Sequence, residues 1–180
     1  LAHLARWLRA AGYDTALVPS DTPDPLILAQ ARAEQRILLT CDRCLAAPDV
    51  PRLHLPMAPL SELAAQLSLH LGVDWLYAPF TRCLIDNTPL IPAPPTAEPH
   101  IPEPARLLGG PFHFCPTCER VFWPGGHVRR MQARLYSLMV REMGLRPLSE
   151  RRSRLSFRGK MRGSATPKVA GQSRRALGVL

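Results

Sequence analysis

The sequence predicts an α/β fold with a mostly parallel sheet, and three observations carry that expectation. Over residues 1–71 the apolar spacing alternates between helical and strand patterns, in the order helix, strand, helix, strand, strand, helix. Ile37-Leu38-Leu39-Thr40 is a short apolar run bounded by Arg36 and Asp42, the pattern of a strand buried on both faces of a parallel sheet. Turn and helix-start residues separate the segments, most densely at 20–25 (SDTPDP).

Each element follows from local chemistry. Leu1, Leu4, Leu8 and Ala11 recur at helical spacing, and Gly12 sits where a left-handed stop is usual. Residues 14–18 (DTALV) end in β-formers and read as a strand. Asp24 before Pro25 reads as an N-cap followed by proline at the first helical position, opening a helix over 25–34. Residues 37–40 form the next strand and 52–56 (RLHLP) a weaker one. Leu60, Leu63, Ala64, Leu67 and Leu71 mark a third helix, stopped by Gly72. After residue 78 prolines at 89, 92, 94, 95, 99, 102 and 104 remove too many donors for a packed helix or central strand, so an extended, mobile loop is expected. Val128, Met131, Leu135, Leu138 and Met139 mark a last amphipathic helix, ended by Gly144. From Leu145 no periodicity survives; Ser, Arg, Gly and Lys dominate, and disorder is expected. There is no internal repeat.

The net charge of +9 suggests a nucleic-acid or anionic partner until it is divided along the chain. Residues 141–180 hold eleven Lys/Arg against two acids, and residues 1–140 hold twelve of each. The body is neutral. With 46% hydrophobic residues it can bury a core, which excludes a wholly disordered chain. No stretch approaches the ~20 apolar residues of a membrane span, and the amphipathic opening with Arg6 and Arg9 does not read as a signal peptide. A cytoplasmic protein with no membrane partner is expected. The chain opens on Leu1, which suggests a fragment or an internal start. Five cysteines without a secretory signal point to metal binding or free thiols rather than a disulfide framework.

Asp42 follows the buried run directly. Ligands of open α/β sheets bind beyond the carboxyl ends of the strands, where a carboxylate can hold a divalent metal; the plain alternative is an N-cap for a turn over 43–47. Asp24 is first a helix cap and second a candidate metal ligand at the same edge, and Asp21 is a weaker version of it. Cys115-Pro-Thr-Cys118 has the spacing of one zinc knuckle. Cys83-Leu-Ile-Asp86 has the same spacing with an aspartate at its end, so Cys83, Asp86, Cys115 and Cys118 could hold zinc, with His113 and His127 as rival fourth ligands; a decayed, metal-free site stays open beside it. Cys41-Asp-Arg-Cys44 is a further CxxC, but on the end of a buried strand, where a knuckle fits badly. Arg6, Arg9, Arg43, Arg82, Arg129, Arg130 and Arg134 are candidate phosphate contacts, and Trp7, Trp75 and Trp123 could stack bases or simply pack.

Four segments, LARWLRAAGYDT (4–15), RILLTCDRCL (36–45), PFTRCLIDNTPL (79–90) and FCPTCERVFWPGGH (114–127), together resemble the Mut-seven C-terminal ribonuclease family over about residues 1–140. The resemblance implies a PIN-like nuclease core, over 1–77 and incomplete at its N-terminus, then a zinc ribbon with a Pro-rich loop over 78–127; the C-terminal helix over 128–144 and a basic tail over 145–180, beyond the family's extent, complete the expected domain order. It implies RNA as partner and metal-dependent hydrolysis, with Asp24 and Asp42 holding Mg²⁺ or Mn²⁺ and a structural Zn²⁺ in the ribbon; with RNA as partner, Arg6, Arg43, Arg82, Arg130 and Arg134 are the arginines expected to contact it. Three departures stand out. The family's first strand, ending in an aspartate, does not precede Leu1; its fourth ribbon cysteine is Asp86; and its basic residue before Asp42 is Cys41. Two acids bind a hard cation poorly, and a sheet without a central strand exposes open edges. A ribonuclease inactive in this form is therefore expected, with a non-catalytic zinc-ribbon RNA-binding module as the alternative.

Overall fold

A computed structural model describes residues 1–107, 109–142 and 177–179. The first half alternates as expected: α1 (Ala2–Ala10), β1 (Thr15–Leu17), α2 (Asp24–Ala33), β2 (Ile37–Thr40), β3 (Arg52–His54) and α3 (Leu60–Leu71). All strand pairs of this sheet are parallel. β2 is buried along its whole length because both of its faces are covered. Ile37 and Leu39 join Leu4, Leu8, Leu63, Leu67, Met131 and Leu135 on one face, and Leu38 joins Ile27, Ala31, Leu45 and Val50 on the other. The alternating sides of one four-residue strand thus divide the core into two clusters.

Helix boundaries carry one correction. Pro23 is the N-cap of α2 and Asp24 its first helical residue, with no side-chain cap bond, so Asp24 is not the cap. An acid in the first turn still favours the helix, through its dipole. α3 ends as expected, with Gly72 left-handed at φ 64°. Just beyond it Trp75 is wholly buried, its Nε1 donating to Ser68 Oγ at 3.1 Å, while Ser68 Oγ donates to Val73 O at 3.0 Å. Trp75 is therefore a core residue and not a base-stacking platform.

The proline-rich segment is not the extended, mobile loop that its composition suggests. It contains β4 (Ile91–Pro92), a 3-10 helix (Pro95–His100) and α4 (Glu103–Arg106). Pro95 and Pro104 fall at helix starts, where a missing N–H costs nothing, and Pro94 and Pro102 are the N-caps before them, while Pro99 lies inside the 3-10 helix. Ala97, Ile101 and Ala105 are buried, and Arg106 donates to the Ile101 and Glu98 carbonyls. β4 then pairs antiparallel with β5 (His113–Phe114), and β5 with β6 (Val121–Phe122). The last helix, α5 (Gly126–Glu142), lays Met131, Leu135 and Leu138 into the main core.

The second correction concerns the tail. Residues 177–179, which composition assigns to disorder, form β7 (Leu177–Val179), and the sheet order is β1-β7-β2-β3. β7 pairs parallel with β1 (Thr15 opposite Leu177) and with β2 (Ile37 opposite Leu177). The expected open edges at the middle of the sheet are thus paired. The rest of the expected tail, residues 145–176 and Leu180, lies outside the described residues, as does Gly144. Among the described residues no helix is long and apolar enough to cross a membrane.

Gly12 lies against the backbone of Ala78. It sits at φ 98°, and a Cβ there would lie 2.3 Å from the Ala78 carbonyl oxygen. Around it Ala78 N donates to Ala11 O at 3.0 Å and Phe80 N to Ala10 O at 2.9 Å. Gly72 has a similar φ but open space around it. Gly12→Ala is expected to cost about 2 kcal/mol or more, from backbone clash and strain together, and Gly72→Ala only about 1 kcal/mol. Urea unfolding of the two variants checks this; equal losses would remove the close approach as the reason for Gly12.

Candidate functional site

Two sets of residues can carry chemistry. The first lies at the carboxyl edge of the parallel sheet. Asp42 is exposed two residues beyond β2. Its amide donates to Thr40 Oγ1 at 2.9 Å, and its Oδ1 accepts from Cys44 N at 2.7 Å. One carboxylate oxygen therefore holds the turn, as the plain reading has it, and the side chain remains open to solvent. Asp24, also exposed, begins α2 after the chain leaves the same edge from β1. Asp21 is exposed in the connecting turn. His54, at the end of β3 and in register with Thr40, reaches this edge too, its Nε2 donating to Cys41 O at 3.1 Å. Sequence reasoning did not single out His54; the parallel register of β3 was the signal needed. Among the described residues Asp24 and Asp42 belong to no group of three or more close metal-ligating side chains.

The second set is such a group. Cys83, Asp86, Cys115 and Cys118 bring one ligand atom each to within 4.8 Å of one another. Two turns of matching design present them. In the first, Asn87 N donates to Cys83 O at 3.0 Å and Cys83 N to Thr88 O at 2.8 Å. In the second, Glu119 N donates to Cys115 O at 2.9 Å and Cys115 N to Arg120 O at 3.0 Å. The residue after each second ligand is left-handed, Asn87 at φ 75° and Glu119 at φ 56°. Thr88 and Thr117 join the turns through their hydroxyls at 2.8 Å. Neither Cys41 nor Cys44, nor His113 nor His127, belongs to the group.

The distances test whether a metal fits. Two sulfurs bound tetrahedrally at ~2.3 Å from zinc lie ~3.8 Å apart, and a sulfur and a carboxylate oxygen ~3.5 Å apart. Cys83 Sγ and Cys118 Sγ are 3.7 Å apart, and Cys115 Sγ lies 3.2 Å from Asp86 Oδ2 and 3.5 Å from Oδ1. Cys118 N also donates to Cys115 Sγ, at 3.4 Å. The group could hold a metal ion and is compatible with zinc.

Electrostatics divides the four ligands. Burial pushes the Cys83 thiol up to about 12 and raises that of Cys118. Burial also opposes ionisation of Asp86, but hydrogen bonds from the Thr88 amide (2.9 Å) and hydroxyl and from the Cys115 and Cys83 thiols outweigh it, and hold its carboxyl well below the usual carboxylate range. The site so built sets one fixed negative charge, on Asp86, beside the Cys83 and Cys118 thiols, which must lose protons to bind a metal.

Beneath this group lies a polar junction. Arg9 is buried; its Nε donates to Thr15 O at 2.9 Å and its Nη1 to Ile85 O at 2.7 Å. Burial lowers its pKa, and the nearby Cys83, Asp86 and Asp14 oppose that. Asn87 donates to Asp14 Oδ1 at 2.7 Å and accepts from Thr15 N at 2.9 Å. Arg36 donates to Asp14 Oδ1 at 2.9 Å, and Arg82 Nη2 lies 3.7 Å from Oδ2 while its Nη1 donates to Asn87 O. Arg9, a candidate phosphate contact by sequence, is thus an internal tie. Arg82 is largely turned inward as well. Arg6, Arg43 and Arg130 are exposed and Arg134 is half-buried; Arg6 donates to His127 Nε2 at 3.1 Å.

The chain is thus a mixed α/β body with acids exposed at the carboxyl edge of its parallel sheet and a Cys/Asp group that could hold a metal ion. The family model for the Mut7-C RNAse domain matches residues 1–135, and the chain belongs to that family. Its function is accordingly ribonuclease-related. No curated protein and no solved structure matches the chain.

Asp14 predicts an acid sensitivity. Burial opposes its ionisation, but Asn87 and Arg36 outweigh that and lower its pKa in the folded state. A lowered folded value contributes stability that is present above the ordinary carboxyl range, near about pH 4, and is lost as pH falls through the lower folded value. Asp14→Asn should therefore be less stable than wild type at pH 7, and the difference should shrink below about pH 4. Urea midpoints across pH test this; a gap that stays constant to acid pH would contradict it.

Proposed function

We propose that the protein is a metal-dependent ribonuclease in which Asp24 and Asp42 hold Mg²⁺ or Mn²⁺ at the carboxyl edge of the sheet. The observation that carries the reading is the exposed Asp42 beyond β2 in a chain of the Mut7-C RNAse domain family. A divalent cation at that edge would supply positive charge to offset the charge developing on a scissile phosphate. The two aspartates would orient the ion, and His54 lies within the same edge to hold or move a proton. Arg6, Arg43, Arg130 and Arg134 would meet the phosphate backbone; Arg82 has less freedom to do so, being engaged by Asp14 and Asn87. Two carboxylates are a sparse set for a hard cation, so we propose weak metal binding and slow turnover that rises with Mn²⁺ concentration.

The experiment is cleavage of a single-stranded RNA oligonucleotide across a Mn²⁺ titration. Asp42→Asn is expected to reduce the rate by roughly a hundredfold; a variant as fast as wild type would sink the assignment. The second reading, a non-catalytic RNA-binding module, is favoured by the sparse acid set and by Arg6 and Arg130 exposed on α1 and α5. Salt-dependent RNA binding with no turnover at any Mn²⁺ concentration would support it.

The Cys83, Asp86, Cys115 and Cys118 group is proposed as a structural zinc ribbon that sets the 78–127 module on the core. One Zn²⁺ per chain is expected by elemental analysis of the reduced protein. Because the Cys83 and Cys118 thiols must deprotonate, affinity should rise with pH. Asp86→Ala should weaken zinc roughly ten- to hundredfold, while Asp86→Cys should match or exceed wild type. Competition with a chelator at two pH values reads both effects, and pH-independent zinc affinity would refute the thiol account.

A further inference from the structure

The two cysteine turns match along the backbone but not in their hydroxyls. Thr88 and Arg120 hold equivalent places, each accepting at its carbonyl from the amide of its turn's first ligand, Cys83 or Cys115. Ile85 and Thr117 are equivalent as well, each one residue before the second ligand. Each turn thus carries one of these hydroxyls at a place where the other has none, and the two meet, Thr88 Oγ1 lying 2.8 Å from Thr117 Oγ1. The backbone match does not account for that pair. The ligand that breaks the match, Asp86, does. A cysteine sulfur is bonded directly to Cβ, so a turn that fixes the backbone nearly fixes the sulfur. A carboxylate has a further, soft rotation and two oxygens, and the turn alone does not choose between them. Its neighbours make the choice. Thr88 N donates to Asp86 Oδ1 at 2.9 Å, and the Thr88 hydroxyl also bonds the carboxylate. Oδ2 is then the oxygen nearer Cys115 Sγ, at 3.2 Å against 3.5 Å for Oδ1. A threonine hydroxyl has one proton and rotates to suit its partners. With the Thr88 proton on Asp86, Thr117 is at hydrogen-bond distance to satisfy the Thr88 oxygen.

We propose that Thr117 and Thr88 form a hydroxyl relay that fixes Asp86 as a one-oxygen metal ligand, presented through Oδ2. Both threonines are positioning residues; neither binds the metal itself. The inference rests on the reading of Cys83, Asp86, Cys115 and Cys118 as a zinc site, and it stands independently of the ribonuclease reading. Outer partners of this kind orient a ligand and hold it ready, and losing them weakens the metal without removing a ligand. The relay serves only a carboxylate. A cysteine at position 86 would take its place from the turn, as Cys118 does, and would have no use for Thr88 or Thr117.

The test is a double-mutant cycle on the full, reduced chain, read by Zn²⁺ competition with a chelator at one pH. Thr88→Val should weaken Zn²⁺ roughly tenfold. Thr117→Val, one hydrogen bond further out, should weaken it roughly threefold. Thr88→Ser keeps the hydroxyl and should restore wild-type affinity. In the Asp86→Cys chain the same valine substitutions should leave Zn²⁺ affinity unchanged, because no carboxylate remains to be positioned. The Co²⁺-loaded chain gives a second readout: Thr88→Val should shift and weaken the visible d–d bands where Asp86 is present and leave them unchanged in the Asp86→Cys chain. Where Thr88→Val does not fold, as judged by circular dichroism, the exposed Thr117→Val and its Asp86→Cys counterpart decide alone. A wild-type chain that binds no Zn²⁺ would overturn the zinc reading and the relay together. A wild-type chain that binds Zn²⁺ while the valine variants bind it equally well, or lose as much in the Asp86→Cys chain, would overturn the relay alone.

Discussion

The guanidinium of Arg9 is the interaction on which the relation between core and cysteine module depends. It leaves the last turn of α1, lies buried, and donates to a carbonyl of the sheet, Thr15, and to two of the first cysteine turn, Leu84 and Ile85. A buried cation tolerates this position only because carbonyl oxygens and the nearby Asp14 and Asp86 answer its charge. Such a group is costly to leave half-satisfied, so it fixes where the turn can sit. Asn87 repeats the link from the other side, bonding both Asp14 and the Thr15 amide. The metal-ligand group is therefore attached to α1 and β1 by polar geometry as well as by the Gly12–Ala78 backbone contact.

The cysteine turns show how a shared backbone can hold different ligands. Their hydrogen bonds correspond one for one, and each places a left-handed residue after its second ligand. Asp86 therefore stands where Cys118 stands in the partner turn. The substitution changes the charge more than the shape. A carboxylate held ionised by Thr88 and two thiols supplies negative charge before any metal arrives, whereas the buried Cys83 thiol resists losing its proton. Metal capture at such a site is a proton exchange from sulfur, directed by an oxygen already charged.

The sheet has a related dependence. β2 is apolar at successive positions because α1, α3 and α5 contribute to one cluster against it and α2 to the other. That two-sided burial requires a neighbour on each edge of β2, and β3 and β7 provide them. The carboxyl edge carrying Asp42, Asp24 and His54 is thus presented by a sheet whose middle comes from the far end of the sequence.

Much of this was legible from the sequence. Helical spacing at Leu4, Leu8, Leu63 and Leu67, the ILLT run, Gly12 and Gly72, and the matched spacing of Cys83–Asp86 and Cys115–Cys118 all act over a few residues, and local spacing reports them. The place of Asp42 just beyond the ILLT run is read in the same way. What only the tertiary structure decided is where distant segments meet. A three-residue strand centred on Gly178 has no periodicity to announce it, and β1 and β2 alone draw it out of a basic, low-complexity stretch. The prolines of 89–104 read as breakers until Pro95 and Pro104 are seen in first helical turns with Pro94 and Pro102 as the caps before them. Arg9 and Arg82 read as surface charges because charge says nothing of direction; the carbonyls and carboxylate that turn them inward lie far away in sequence. Local chemistry determined the elements, and long-range polar satisfaction decided which of their side chains face solvent.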